Sequence, residues 1–146
     1  MTDPIKLIGN VASPYTRKMV AYLRYKRIPY EVIWGQPEDI LISMNIEAPK
    51  PILLPVFILD RDGQETAVTD STPLIREFEA KYPERSVLPK DPALSFINFV
   101  LEDFGDEWCT KFMFHYRWHF DEDADNAGTI LPLGINSNLK DDELAF

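Results

Sequence analysis

Proline placement constrains this chain more than any other feature of its sequence. There are twelve prolines against six glycines in 146 residues, and each proline fixes its own φ and removes a backbone donor. Five of them, Pro14, Pro29, Pro55, Pro73 and Pro83, fall where an element should start, stop or turn. Residues 5–8 are short and apolar and run into Gly9-Asn10, which predicts a strand ending in a loop. Over residues 15–27, Met19, Val20, Leu23 and then Ile28 recur at helical spacing between cations, and Pro29 ends that helix. Tyr30 to Trp34 alternates and is rich in β-branched and aromatic side chains, so a second strand follows. A loop or short helix covers residues 36–44. Residues 53–60 and 64–69 form a hairpin around Asp60-Arg61-Asp62-Gly63. Pro73 then sits at a first helical position with Ser71 or Thr72 as its cap, Leu74, Ile75, Phe78 and Tyr82 form the apolar stripe, and Pro83 closes the helix. The order is β-α-β-α-β-β-α. Helical crossovers permit parallel pairing and a tight turn forces antiparallel pairing, so an α/β domain with a mixed sheet is expected.

Residues 84–92, with Pro89 and Pro92, read as a linker. A long helix then starts near Ala93 and keeps its period through Leu94, Ile97, Leu101, Phe104, Trp108 and Phe112 to about Trp118. Residues 121–128 read as an acidic, irregular loop, and residues 141–146 as the capped start of another helix. The chain carries 15 Lys+Arg against 24 Asp+Glu, a formal charge of −9, which disfavours nucleic-acid backbones and anionic membranes as partners. An apolar share of 45% is globular, and no apolar run is long enough to span a bilayer. A soluble, cytoplasmic protein is the expectation. One cysteine makes no internal disulfide, and Cys109 reads as a buried small hydrophobe. His115 and His119 lie one turn apart without a third ligand, so no metal site is expected. The acidic loop fails as a calcium loop, because Asn126 stands where glycine is needed and Pro132 where a bidentate glutamate belongs.

Four segments, in order and with matching gaps, resemble the amino-terminal, thioredoxin-like domain of the glutathione transferase family. Ala12-Ser13-Pro14-Tyr15-Thr16-Arg17-Lys18 resembles the opening of its first helix, closest to the Ser-Pro-Phe pattern of the plant tau class. Arg27-Ile28-Pro29-Tyr30-Glu31 resembles the entry to the second strand, and Leu54-Pro55-Val56 the family's Val-Pro, where the proline is cis. Thr69-Asp70-Ser71-Thr72 followed by Ile75 is similar to the Glu-Ser turn that opens the third helix. The resemblance implies a glutathione-binding domain over residues 1–83 and, from residue 93, the start of an all-helical second domain. That domain normally needs roughly 100 residues or more, and only 64 follow Tyr82, so residues 93–146 are expected to be an incomplete part of it.

The resemblance also implies a chemistry, in which glutathione thiolate attacks a small electrophile, as in detoxification, within a homodimer. A thiol with a pKa near ~8.5 is mostly protonated at neutral pH, so the site must stabilise the thiolate. Ser13, just before the first helix, can donate to it while the helix amides favour negative charge; Tyr15 or Asn10 are alternative donors. Ser13 is otherwise only a cap. Leu54, before the cis Pro55, would pair with the cysteinyl backbone, and Asp70 and Ser71 would receive the γ-glutamyl end. Two departures stand out. Asp70 is shorter than the usual glutamate, and Leu53 replaces the polar residue that holds the glycyl carboxylate, with Lys50 the nearest cation to compensate. A non-catalytic binding or scaffold protein is the contrasting reading. A thiol-disulfide oxidoreductase is weak, since Ser13 and Thr16 occupy the positions of a Cys-x-x-Cys pair. Tyr116 and Arg117 are candidate contacts for the electrophile.

Overall fold

A computed structural model describes residues 3–136 and 139–140. It contains β1 (Ile5–Gly9), α1 (Pro14–Lys26), β2 (Tyr30–Trp34), α2 (Pro37–Ser43), β3 (Val56–Arg61), β4 (Gln64–Val68) and α3 (Ser71–Lys81). Beyond them come α4 (Pro92–Asp103), a π-helical turn (Phe104–Trp108), α5 (Cys109–Trp118) and α6 (Asp121–Ile135). The sheet order is β2-β1-β3-β4, with β1 parallel to β2 and antiparallel to β3, and β3 antiparallel to β4. This is the mixed, thioredoxin-like sheet that the element order predicts.

Strand alternation divides the core into two layers. Leu7 pairs with Phe57 on one face, while Ile8 pairs with Val56 on the other. Against the first face α1 buries Met19, Tyr22 and Leu23, and α3 buries Leu74, Ile75 and Phe78. Against the second lies Leu41 of α2, with Ile58 and Ala67. The hairpin turn has Asp62 at φ 56° and Gly63 at φ 84°, the left-handed pair that a two-residue loop between twisted strands requires. Gly63 N–H donates to Asp60 Oδ1 at 2.8 Å.

One buried ion pair ties α1 to α3. Lys26 Nζ lies 2.8 Å from Glu79 Oε1, and both side chains are buried. Tyr22 Oη donates to the same carboxylate at 2.9 Å, and so does Ser86 Oγ. Burial alone would raise the Glu79 pKa, but hydrogen bonds from Lys26, Ser86 and Tyr22 outweigh it and hold the carboxyl below its ordinary value.

Five local expectations change. The third strand begins at Val56 instead of residue 53, because Pro55 has no amide to donate to a ladder; the Lys50–Pro51 and Leu54–Pro55 bonds are both cis. The third helix starts at Ser71, with Asp70 as its cap, so Pro73 sits in the first turn, where amides lack intrahelical partners anyway. The long helix is broken by the π turn into α4 and α5. The acidic segment is not a loop: it opens α6, where Asp121, Glu122 and Asp123 meet the positive end of the helix dipole, and the helix continues through Pro132. Cys109 is half-buried rather than fully buried. The helix start expected at 141–146 lies outside the described residues.

Candidate functional site

The end of β1 must approach α1 closely before a site can form there. Gly9 permits this, since a Cβ at that position would stand 2.5 Å from Thr16 Cγ2. The chain then turns through residues 10–12 into Ser13, whose Oγ caps α1 by accepting from Thr16 N–H at 3.2 Å. Pro14 follows at the first helical position. The cap bond uses an oxygen lone pair, so the Ser13 hydroxyl proton is still available to donate.

A cleft of about 600 Å³ opens beside Ser13. Its wall brings together Ser13 and Tyr15, Leu53 and Leu54, Asp70, Ser71 and Thr72, and, from the π turn, Asp106 and Glu107. The Leu54–Pro55 bond is cis, and Leu54 precedes the first ladder pair, Val56 with Ile8, so its backbone groups are not used by the sheet. Asp70 has φ 79°, a conformation that costs a non-glycine residue about 1–3 kcal/mol and that concentrates at functional sites. Its Oδ1 accepts from Thr72 N–H at 3.2 Å. Lys50 is exposed and is not part of the cleft wall. Pro55 is buried.

Lys18, to which the sequence assigned no role, braces the Ser71 side of the cleft. Its Nζ donates to Ser71 Oγ at 3.1 Å, Glu102 Oε1 at 3.1 Å and Asp106 Oδ2 at 2.6 Å. Thr72 Oγ1 adds a bond to Glu102 at 3.0 Å. Burial would lower the Lys18 pKa, yet hydrogen bonds to Asp106 and Glu102 prevail and hold the ammonium above its ordinary value. Since Ser71 Oγ accepts from Lys18, its own proton can donate into the cleft. Tyr15 Oη donates to the Asp106 carbonyl at 2.5 Å. Burial, then the charges of Asp106 and Glu107, push the Tyr15 phenol upward, so it stays neutral. Asn10 is turned elsewhere, with its Oδ1 accepting from Ala12 N–H at 2.9 Å and its amide against Gly134.

Nothing in the sequence pattern singled out Glu102, Asp106 or Lys18, because they meet only through tertiary packing. A helix-surface lysine flanked by acids 84 and 88 positions away carries no local signal. Arg117 reaches the loop before Ser13 from the other side, donating to the Ala12 carbonyl at 3.1 Å. Tyr116 and Arg117 share a second cavity of about 460 Å³ with Val11, Pro14 and Met113. His115 and His119 stack with ring centres 4.5 Å apart, and among the described residues no group of three metal-ligating side chains forms.

Residues 7–86 match the model of the family described as glutathione S-transferase, N-terminal domain. Among solved structures, the fold is similar to a glutathione S-transferase from Methylobacterium radiotolerans in complex with glutathione sulfonate (21% identity, TM-score 0.60, covering 97% of this chain and 59% of that one). It is also similar to a maleylacetoacetate isomerase from Anaeromyxobacter dehalogenans with bound GSH (17%, TM-score 0.60, 90% and 64%). A tau-class glutathione S-transferase from mango, Mangifera indica, is a third (22%, TM-score 0.58, 89% and 60%). The chain thus spans about three fifths of the length of these proteins. No curated protein sequence matches it. With the mixed sheet, the cis Leu54–Pro55 bond and a family match over residues 7–86 all in place, this chain belongs to the glutathione S-transferase family.

Proposed function

We propose that the cleft binds glutathione and that Ser13 stabilises its thiolate for attack on a small electrophile. The observation that carries this reading is the convergence of Ser13, Leu54 and the Asp70–Ser71 turn on one cleft of about 600 Å³ from three separate parts of the chain. In this scheme the backbone of Leu54 pairs with the cysteinyl residue in extended form. Ser71 and the first amides of α3 meet the γ-glutamyl carboxylate, while Asp70 and Glu107 meet its ammonium. The thiol proton passes to solvent, the Ser13 hydroxyl donates to the sulfur, and a sulfur lone pair forms the bond to carbon as the electrophile's leaving group departs with its electron pair. Ser13-Pro14-Tyr15 is nearest to the tau-class pattern, and a serine-type mechanism goes with it. Tyr116 and Arg117 would line the electrophile's side. Because the Tyr15 hydroxyl is committed to Asp106 and Asn10 turns away, Ser13 is preferred as donor.

Calorimetry with glutathione tests binding directly, and no heat at millimolar ligand would overturn the proposal. If glutathione binds, Ser13→Ala should raise the pKa of the bound thiol, read as thiolate absorbance against pH; an unchanged titration would reduce Ser13 to a cap. The cleft wall offers no cation to the glycyl carboxylate, because Leu53 stands there. Leu53→Gln should therefore tighten glutathione binding by about tenfold, the worth of one hydrogen bond to a charged group. The same gap favours a second reading, a non-catalytic glutathione-binding protein. Binding without turnover of an aryl halide would select it.

A further inference from the structure

The cleft beside Ser13 has a charge imbalance that bears on the third residue of a peptide held there. Three carboxylates, Asp70, Asp106 and Glu107, stand in its wall, and no lysine, arginine or histidine does. Lys18 bonds Ser71 from outside that wall and is already shared between Glu102 and Asp106. Neither Asp70 nor Glu107 forms an ion pair with a described residue. After burial, the charges of Asp106 and Glu107 are what raise the Tyr15 pKa, which marks a negative field in the cleft.

The direction of the peptide rests on the glutathione reading above. With the γ-glutamyl end on the Asp70–Ser71 turn and the thiol at Ser13, an extended peptide on Leu54 runs its third residue away from α3, onto Ile52 and Leu53. Leu53 is 48% exposed and Ile52 half-buried, so that residue meets apolar surface. A free carboxylate set there loses water without gaining a cation. Glutathione also carries two carboxylates against one ammonium, a net negative charge that the acidic wall repels. An amide at the same position removes both costs and keeps the peptide backbone.

We infer that the cleft prefers glutathione amidated at its glycyl carboxyl group, a γ-glutamylcysteinyl thiol with an uncharged third residue, over free glutathione. The thiol and the γ-glutamyl group are the same in both ligands, so Ser13, Leu54 and Ser71 serve either. Leu53 then determines specificity, because it lies where the two ligands differ.

Calorimetry on the whole chain compares glutathione with its glycyl carboxamide. The carboxamide should bind at least about tenfold tighter at low salt, the effect of removing one unpaired charge from a partly apolar site. The difference should narrow at about 1 M salt, where exposed carboxylates are screened. Leu53→Lys should tighten glutathione at least about tenfold and leave the carboxamide within about twofold, cancelling or reversing the preference. Equal affinities in wild type, or tighter binding of free glutathione, would overturn the inference and leave the glutathione reading standing. An undiminished preference for the carboxamide in Leu53→Lys would overturn it too. No heat from either ligand at millimolar concentration would overturn both.

Discussion

The α/β unit from β1 to α3 and the helices after it draw on the same apolar side chains but use them differently. In the first, each apolar face finds a partner within the chain: Leu7 and Phe57 meet Leu23 and Phe78, and Ile8 and Val56 meet Leu41. In the second, α4, the π turn and α5 bury no residue. Phe96 is 68% exposed and Leu101 63%. Yet α4 is as well built locally as α1, with Pro92 at its start and Asp91 Oδ1 accepting from the amides of Ala93 and Leu94. Forming a helix needs only neighbours in sequence, whereas burying its stripe needs a second surface. What links this segment to the α/β unit includes a polar set: Lys18 to Glu102 and Asp106, Tyr15 to Asp106, and Arg117 to Ala12.

That contrast can be broken or sharpened by mutation. Phe78→Ala should cost about 3–5 kcal/mol in urea unfolding, since it opens a cavity between α1, α3 and the sheet, whereas Phe96→Ala should stay within about 0.5 kcal/mol. Equal losses would abolish the distinction between the two regions. Lys26→Met should cost about 3 kcal/mol or more, because it strands Glu79 in a buried position without its cation. The pH dependence has a definite sign. The folded pKa of Glu79 is depressed, so its contribution is complete above the unfolded value of about 4.3 and is lost as pH falls through the folded value. Urea midpoints measured down an acid series should fall in wild type and fall less steeply in Lys26→Met. Lys18→Met should have a smaller and regional effect, about 1–3 kcal/mol. Limited proteolysis should then cut α4 and α5 faster while amide exchange in β1 and β3 holds. Uniform loss of protection across both regions would show that Lys18 supports the whole fold and not the seam.

Elements with short-range causes were legible. The hairpin followed from Asp62-Gly63, the first helix from Ser13-Pro14 and its stripe, and the mixed sheet from the order of crossovers and turn. The candidate site was half legible. Ser13, Leu54, Asp70 and Ser71 all line the cleft, while Lys50 does not. The acidic opening of α6 misled because a run of Asp and Glu resembles a solvated loop unless its position at a helix N-terminus is known. The π turn left no signal either, since Phe104 and Trp108 keep an apolar spacing that a continuous helix would share.

By itself the sequence determined the α/β order, the helix ends and the hairpin. These follow from dihedral preferences, caps and periodicities that act over a few residues. Only the tertiary structure decided that Lys18 braces Ser71 from 53 positions away and that two acids of the π turn close the cleft. It also decided that no cation joins Leu53 in the cleft wall. Those outcomes depend on which faces the packed sheet brings together, and no local pattern encodes that.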